Sequence, residues 1–289
     1  MTVAIPQPLR GLLARVPRRR SPAVRRFSRH FAKGGAPLVL TDAYDTRFVL
    51  YPWEVDAVEE LLSKSFYKPD FRAIDLLLAA GGTAVDVGAN VGAHSIMMSR
   101  AVGPGGRVIA FEAVPTTAWL MREHLALNRI ENVELIGAAV SDTPGTVEMN
   151  VFEQRYSAWN SRGAATNDGI APIDVVQVPA DSLDASMAAA GVERIDFLKI
   201  DVEGFELEVL RGARRLLEAG AIETLSFEIS QVPLQASGHC ARDVFELLGA
   251  LGYRSYKLDE TSDRFVGPFE DSDDFYANFY ASRRDLSVT

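Results

Sequence analysis

Hydrophobic residues follow an alternating pattern of segments from residue 83 onward. Short runs of apolar and β-branched residues predict strands at 83–87, 107–111, 133–140, 195–200 and 222–229. The segments between and after them predict helices near 94–102, 115–128, 204–218 and 240–251. Strands that alternate with helices are typical of an α/β fold, so we predict a doubly wound, Rossmann-like parallel sheet over residues 83–289.

Residues 1–82 break this alternation. Apolar, β-prone runs flank a turn-rich centre in 38–51 and predict a β-hairpin. Apolar residues at helical spacing predict amphipathic helices at 53–66 and 70–80. We interpret 36–82 as an N-terminal cap, a hairpin with helices, which either lies beside the ligand site or serves homo-oligomerisation.

A second interruption, at 143–182, is predicted to be an insertion in the main domain. Strand-like runs at 146–152 and 175–178 enclose a polar loop, and a loop of that length in a compact domain is more often functional than accidental. Flat rings and amides suit a polyhydroxylated or ring-bearing ligand, so we predict substrate contacts at Tyr156, Trp159 and Asn160. The alternative for Trp159 is a structural role, in which its side chain packs the loop against the rest of the domain.

The end of the chain contains two further apolar and aromatic runs. They cover 253–258 and 275–281 and are separated by acidic, turn-like residues at 259–274. We predict that they form a closing antiparallel pair of strands.

Charge is distributed unevenly along the chain. The net charge is −9, and residues 1–35 contain nine Lys or Arg and no acid; removing those nine positive charges leaves −18 on the rest. This negative charge over the rest of the chain argues against a general nucleic-acid-binding function. The basic arm at 1–35 is predicted to be solvated or folded onto the acidic body. The alternatives are contact with anionic lipid, RNA or an acidic partner, or an organelle transit peptide.

The sole cysteine, Cys240, has no partner for an intramolecular disulfide, which favours a reducing, cytoplasmic location. No apolar run approaches the ~20 residues that a membrane-spanning helix needs. We therefore expect a soluble or at most peripheral protein.

The segment 84–94 has the sequence of a ligand cradle. A short apolar strand carries Asp86, and Gly88, Asn90 and Gly92 then form a tight turn into a helix. Such residues let the backbone approach a ligand, and the helix start presents free N–H groups. Glu112 ends the next strand, 24 positions after Gly88, where an acid can accept the ribose hydroxyls of an adenosine-bearing ligand.

Two cofactors use such a cradle. A nicotinamide site favours the pattern G-x-G-x-x-G, but Asn90 and Ala93 occupy the second and third glycine positions. S-adenosylmethionine (SAM) enzymes typically carry an acid two residues before the first glycine, and Asp86 occupies that position. The cradle therefore favours SAM, with S-adenosylhomocysteine (SAH) as its product; the structural alternative is a turn that merely needs flexible residues.

A second acidic segment follows the strand at 195–200. Asp201 and Glu203 come directly after this strand and Glu228 ends the next one, so all three are expected at the mouth of the same cleft. Three acids there cannot all be charged, dry and unpaired. Either one has a raised pKa and accepts a proton, or Lys199, a histidine or a divalent cation compensates. Ligand spacing typical of a metal site is absent, so a divalent metal is not favoured.

Two histidines are candidate proton acceptors in place of a carboxylate. His94 lies at the first turn of the cofactor helix, and His239 precedes the helix at 240–251. The alternatives are a capping or surface role for His94 and a solvated loop position for His239.

The motifs together resemble those of the FkbM-type methyltransferases, SAM-dependent enzymes that act mostly on hydroxyl groups. The resemblance covers roughly residues 83–257 and is most specific in Phe-Leu-Lys-Ile-Asp-Val-Glu-Gly-Phe-Glu (197–206) with Val-Leu-Arg-Gly-Ala (209–213). Further matching segments are 85–95, 111–115, 127–128, 138–142 and 182–184. The likeness implies a class I methyltransferase sheet.

The resemblance also implies roles for individual residues. Those assigned to SAM are Asp86, Gly88, Ala89, Asn90 and Gly92 in the first turn, Glu112 and Ala113 after the second strand, Ala139, Val140 and Asp142 at the end of the third, and Asp201 near the transferred methyl. Ala113 stands where the family commonly has proline.

These observations predict a SAM-dependent O-methyltransferase whose acceptor is a hydroxylated small molecule, sugar or natural product. Asp201, with Glu203 or Glu228, is the predicted proton acceptor. One alternative is a non-catalytic SAM- or nucleotide-binding module that docks on a partner through the basic arm. The other is a nicotinamide-dependent oxidoreductase.

Overall fold

The structure is a computed structural model and describes residues 37–42, 44–50, 69–152, 161–162, 172–259 and 261–288. The predicted basic arm, the predicted helix at 53–66 and the three predicted substrate residues in the 143–182 insertion lie outside these ranges.

The described strands are, in chain order, β1 (Leu38–Thr41), β2 (Arg47–Leu50), β3 (Thr83–Val87), β4 (Arg107–Phe111), β5 (Val133–Ile136), β6 (Ala139–Val140), β7 (Gly145–Val151), β8 (Ser161–Arg162), β9 (Asp174–Asp181), β10 (Ile195–Ile200), β11 (Ile222–Ser230), β12 (Arg254–Asp259), β13 (Arg264–Phe269) and β14 (Tyr276–Ser282). The described helices are α1 (Pro69–Leu77), α2 (Ala93–Val102), α3 (Pro115–Leu127), α4 (Leu183–Ala189), α5 (Glu206–Gly212), α6 (Arg214–Glu218), α7 (Gln231–Ala236), α8 (Ala241–Ala250) and a final 3-10 turn (Leu286–Val288).

The predicted parallel sheet is present. Within the described residues it has eight strands in the order β13-β12-β14-β11-β10-β3-β4-β5. The five strands from β11 to β5 are parallel, whereas β14, β12 and β13 are antiparallel additions. The chain leaves β3 towards β4 and β5 and later returns through β10 to the other side of β3. The strand order therefore reverses between β3 and β10, which is where open α/β sheets bind their ligands.

Both faces of the sheet are covered. Val85, Leu198 and Phe227 pack with α5 and α8 in a cluster on one face. Ala84 and Phe197 belong to a second cluster on the other face, which also contains residues of the hairpin, α1, β12 and β14. Because the parallel strands are buried on both sides, their sequences are long apolar runs. The N-terminal hairpin and α1 share the second core with the sheet.

Three element predictions need correction. The predicted strand at 133–140 is two strands: β5 stays in the main sheet, and β6 pairs with β9 in a smaller sheet of order β6-β9-β7-β8 among the described residues. The predicted helix at 204–218 begins at Glu206 and divides at Ala213. Left-handed backbone at Glu203 (φ 53°) and Gly204 (φ 98°) delays its start.

The third correction concerns the end of the chain. β12 and β14 form the predicted antiparallel pair, but β13 also forms within the segment interpreted as turn material. β13 lies at the edge of the sheet, where exposure and a proline at 268 are tolerated. Its sequence therefore lacks the apolar run that identifies an interior strand.

The predicted hairpin forms and attaches to the cradle through α3. Asn128 at the end of α3 accepts a hydrogen bond from Arg47 N (2.8 Å) and donates one to Arg47 O (2.7 Å). His124 Nδ1 lies 2.8 Å from Val91 O in the cradle turn, and Nε2 lies 3.2 Å from Val49 O in β2. His124 is buried, and its burial lowers the pKa of the imidazole. No motif in the sequence indicated a role for His124, which lies in the middle of a predicted helix.

We expect His124→Ala to lower the free energy of unfolding by about 1–3 kcal/mol, because the neutral imidazole donates to one of the two part-buried carbonyl oxygens beside it and that oxygen loses its donor. Urea denaturation followed by circular dichroism measures the change. Arg122→Ala, at an exposed position on the same helix, is the matched control. Equal stability of the His124→Ala and Arg122→Ala variants would contradict the structural role.

Candidate functional site

The turn between β3 and α2 has the geometry of the predicted cradle. Gly88 (φ 81°), Asn90 (φ 49°) and Gly92 (φ 87°) are all left-handed, which allows the backbone to reverse before α2 begins. A Cβ atom on Gly88 would lie 1.9 Å from Asp201 O. The cradle and the end of β10 therefore meet backbone to backbone, and any larger residue at 88 would separate them.

Asp86 is the most enclosed acid of the site. It is fully buried, and Oδ2 accepts a hydrogen bond from Ser95 Oγ at 2.6 Å. Its Oδ1 atom has no hydrogen-bond partner among the described residues, and Lys199 Nζ is 3.9 Å away. Because buried carboxylate oxygens are normally paired, this oxygen suits a cationic ligand group such as the ammonium of SAM.

Glu112 ends β4 beside the same turn. Oε2 accepts a hydrogen bond from Asn90 N (2.9 Å), and Oε1 accepts one from Val114 N (2.8 Å). Burial raises the pKa of Glu112 to about 7, although both backbone hydrogen bonds oppose the rise. Glu112 thus holds the cradle turn in its left-handed conformation, and the buried Oδ1 atom of Asn90 has no partner among the described residues.

The other residues predicted to contact SAM lie near the smaller sheet. Ala113 and Ala139 both pack against the cluster of Val147, Val178 and Ala180. Val140 is buried in the main core, and Asp142 is exposed. Ala139 and Val140 belong to β6 rather than to the third strand of the main sheet, which corrects their predicted placement at its end. Their role in adenine binding remains a prediction.

The three predicted acids come together. One carboxylate oxygen from each of Asp201, Glu203 and Glu228 lies within 4.8 Å of the others, close enough for a divalent cation to bridge them. Glu228 is buried, whereas Asp201 and Glu203 are half-buried. Lys199 Nζ donates to Asp201 Oδ2 at 2.9 Å, which confirms the predicted ion pair and places one positive charge against this acidic cluster.

A residue to which the sequence analysis assigned no role, Glu206, holds the loop that carries two of these acids. Its Oε1 atom accepts hydrogen bonds from Val202 N and Gly204 N, both at 3.2 Å. Burial raises the pKa of Glu206 to about 7. From the other side, a Cβ on Gly204 would lie 2.5 Å from the backbone of Pro233 in α7. Glu206 is the last residue of the most specific motif, which was the signal available in the sequence.

The two histidine candidates have other neighbours. The ring of His94 lies 4.9 Å, centroid to centroid, from that of Phe71 in α1, so it faces the N-terminal cap. His239 Nε2 lies 3.1 Å from Glu208 Oε1 on α5. The structure thus pairs His239 with an acid outside the cluster of Asp201, Glu203 and Glu228.

We expect the stability of the protein to depend on pH through Glu206. A folded-state pKa of about 7, above the ordinary glutamate value of 4.5, means that the folded state retains a proton that the unfolded state loses. Stability should therefore fall as the pH rises from about 4.5 to about 7. Urea denaturation across this range should show a shallower decline for Glu206→Gln than for the wild type.

The matched control for this measurement is Glu246→Gln, at an exposed position on α8. It should decline with pH as steeply as the wild type. If Glu206→Gln declines equally steeply, Glu206 is not the proton-retaining group.

Comparison with known proteins agrees with this geometry. The family model described as the methyltransferase FkbM domain matches residues 86–255, more than half of the chain. Methyltransferase sdnD of Sordaria araneosa is 30% identical over 184 residues, covering 54% of this chain and 71% of that protein. Hexuronic acid methyltransferase AglP of Haloferax volcanii is 27% identical over 219 residues, covering 74% of this chain and 82% of that protein.

Among solved structures, a SAM-dependent methyltransferase from Aquifex aeolicus is 15% identical and aligns with a TM-score of 0.42, covering 74% of this chain and 89% of that one. No helix in the described part of the chain is long and apolar enough to cross a bilayer. The family match starts at the buried acid of the cradle, Asp86, and continues through all three clustered acids. The chain therefore belongs to the FkbM methyltransferase family and is a SAM-dependent methyltransferase.

Proposed function

We propose that the protein methylates a hydroxyl oxygen of a small-molecule acceptor, such as a sugar or a natural product. The observation that carries this proposal is the cluster of Asp201, Glu203 and Glu228, whose carboxylates lie within 4.8 Å of one another beside the cradle. An alcohol is a poor nucleophile until its proton is removed, and a carboxylate at the strand ends can remove it.

The cradle would hold SAM at its charged end and at its ribose. Asp86 would present Oδ1 to the ammonium group, and the amide oxygen of Asn90 is a second acceptor. Neither atom has a hydrogen-bond partner among the described residues. Glu112 would accept ribose hydroxyls in addition to its two backbone donors. SAM supplies the methyl group as a sulfonium and leaves as the neutral thioether SAH.

The chain's own groups would align the acceptor and take its proton. Asp201 is next to the cradle because its backbone packs against Gly88, so it is our candidate for the proton acceptor. The ion pair with Lys199 favours its charged, proton-accepting form. Holding the acceptor oxygen in line with the methyl group supplies a further part of the barrier reduction, about 7–11 kcal/mol in favourable cases.

The name of one relative supports the choice of an oxygen acceptor. The Haloferax volcanii protein is named for a hexuronic acid, a sugar acid with hydroxyl and carboxylate oxygens, and aligns over 74% of this chain. Family membership also favours methyl transfer over the two alternatives considered from the sequence, a nicotinamide oxidoreductase and a non-catalytic docking module. His94 and His239 are the fallback proton acceptors, and a divalent cation in the acidic cluster is the less favoured means of activating the hydroxyl.

We expect Asp86→Asn to weaken SAH binding by about 10- to 100-fold, because the substitution removes the buried negative charge that faces the ammonium group. Isothermal titration calorimetry with SAH measures the dissociation constant. Glu131→Gln, at an exposed position, should bind as the wild type does. Unchanged affinity in Asp86→Asn would mean that the cofactor is held elsewhere.

We expect Asp201→Asn to lower kcat by about 10²- to 10⁴-fold with little change in SAH affinity, as is typical when a general base is removed. Glu203→Gln and Glu228→Gln are the matched variants, and the largest fall in kcat identifies the proton acceptor. Rates come from methyl transfer to an alcohol acceptor as a function of pH. A proportionate loss of SAH affinity in Asp201→Asn would instead make Asp201 a cofactor ligand.

A further inference from the structure

The three acids of the cluster are supported by different parts of the backbone. Asp201 directly continues β10, and its amide donates to Val87 O in β3 at 3.0 Å. Glu228 belongs to β11 and pairs with Asn278 of β14. Glu203, in contrast, lies in the connection between β10 and α5, outside both elements. The sheet therefore fixes the backbone of two of the acids, and the third depends on contacts made by this connection.

The backbone that carries Glu203 adopts a conformation that needs support. Glu203 (φ 53°) and Gly204 (φ 98°) are consecutive left-handed residues. A residue other than glycine keeps this conformation only where the surrounding structure enforces it. Without such support the connection would relax, and the Glu203 carboxylate would move away from the other two acids.

Glu206 supports this connection from α5. Its side chain is buried, and a single oxygen, Oε1, accepts hydrogen bonds from the amides on either side of Glu203, Val202 N and Gly204 N, both at 3.2 Å. Because both flanking amides point to the same atom, the chain is bent around Glu206 with Glu203 at the centre of the bend. The position of the Glu203 backbone therefore depends on one side-chain oxygen.

A second contact holds the connection from the side of α7. Ser237, directly after α7, has its Oγ atom 2.7 Å from Gly204 O and also 2.7 Å from Leu234 O. A hydroxyl has one proton to donate, so the two carbonyl oxygens share it. A Cβ atom on Gly204 would lie 2.5 Å from the backbone of Pro233, which shows how closely the connection packs on α7. The connection is thus held between two helices.

We propose that Glu206 is the positioning residue of Glu203, which it keeps in the acidic cluster by holding the two flanking amides, and that Ser237 assists it. This inference rests on the proposed function, in which the cluster acts on the acceptor hydroxyl. The role concerns Glu203 rather than Asp201, because hydrogen bonding within the sheet holds the backbone of Asp201. The SAM cradle packs against Asp201 through Gly88, so cofactor binding does not depend on Glu206.

The first test is amide hydrogen exchange, resolved by residue with NMR, in wild type, Glu206→Leu and Glu206→Gln. Leucine removes the acceptor oxygen, whereas glutamine keeps one in the same place. We expect the amides of Val202 and Gly204 to exchange about tenfold faster in Glu206→Leu and near the wild-type rate in Glu206→Gln. The amide of Asp201 should exchange equally in all three proteins. Unchanged exchange of Val202 and Gly204 in Glu206→Leu overturns the inference.

The second test is kinetic and uses whichever of methyl glucoside, methyl glucuronide and benzyl alcohol the wild type methylates fastest. We expect Glu206→Leu to lower kcat about 10- to 100-fold with unchanged SAH affinity, and Glu206→Gln to restore kcat. In the double variant Glu206→Leu/Glu203→Gln, kcat should lie within about twofold of that of Glu203→Gln, because one residue acts through the other. Losses that multiply, or a loss in Glu206→Leu with none in Glu203→Gln, contradict the inference.

Glu218→Leu is the matched control, because it makes the same substitution at an exposed position on α6 and should behave as the wild type. If Glu206→Leu does not fold, Ser237→Ala loosens the same connection from the side of α7. Unchanged exchange and kcat in Ser237→Ala would then overturn the inference. If the wild type binds SAH but methylates none of the alcohols, the proposed function fails, whereas amide exchange needs no acceptor and still decides whether Glu206 positions Glu203.

Discussion

The close contact between Gly88 and the backbone of Asp201 is the constraint on which the site depends. With no Cβ at residue 88, the turn after β3 can lie against the end of β10, and Asp201 N continues the ladder by donating to Val87 O at 3.0 Å. Lys199 lies between the acid of the cradle and the acid of the cluster, within 3.9 Å of one and 2.9 Å of the other. The cradle and the acidic cluster are therefore fixed to each other by main-chain packing.

Two buried carboxylates bond to the main chain of a neighbouring turn, and a third bonds to a side chain. Glu112 and Glu206 each accept two backbone N–H groups from the turn beside them, and Asp86 accepts a hydroxyl from the following helix. Burying such groups is costly without hydrogen bonds. The backbone donors offset part of that cost. The same hydrogen bonds stabilise the turns, including the left-handed conformation at Glu203 (φ 53°), which residues other than glycine rarely adopt. The acids thus stabilise the turns that position the reactive groups.

The strands that are buried on both faces of the main sheet were predicted well from the sequence. Continuous apolar runs identified β3, β4, β10 and β11. The acids at the ends of β10 and β11 identified all three members of the acidic cluster, because the carboxyl ends of parallel strands meet at one edge. Two features were missed: edge strand β13 and the division of 133–140 between two sheets. An exposed edge strand has no continuous apolar run, and the local sequence does not show which strand a segment pairs with.

The position of β14 in the chain has a consequence for the core. The family match ends at residue 255, whereas the strand that borders Glu228 begins at Tyr276. This strand nevertheless lies inside the sheet, where Phe279 is buried in the core on one face and Tyr280 in the core on the other. Both cores of the sheet are therefore completed by a segment that follows the region matched by the family model, and removing that segment would expose apolar residues on both faces.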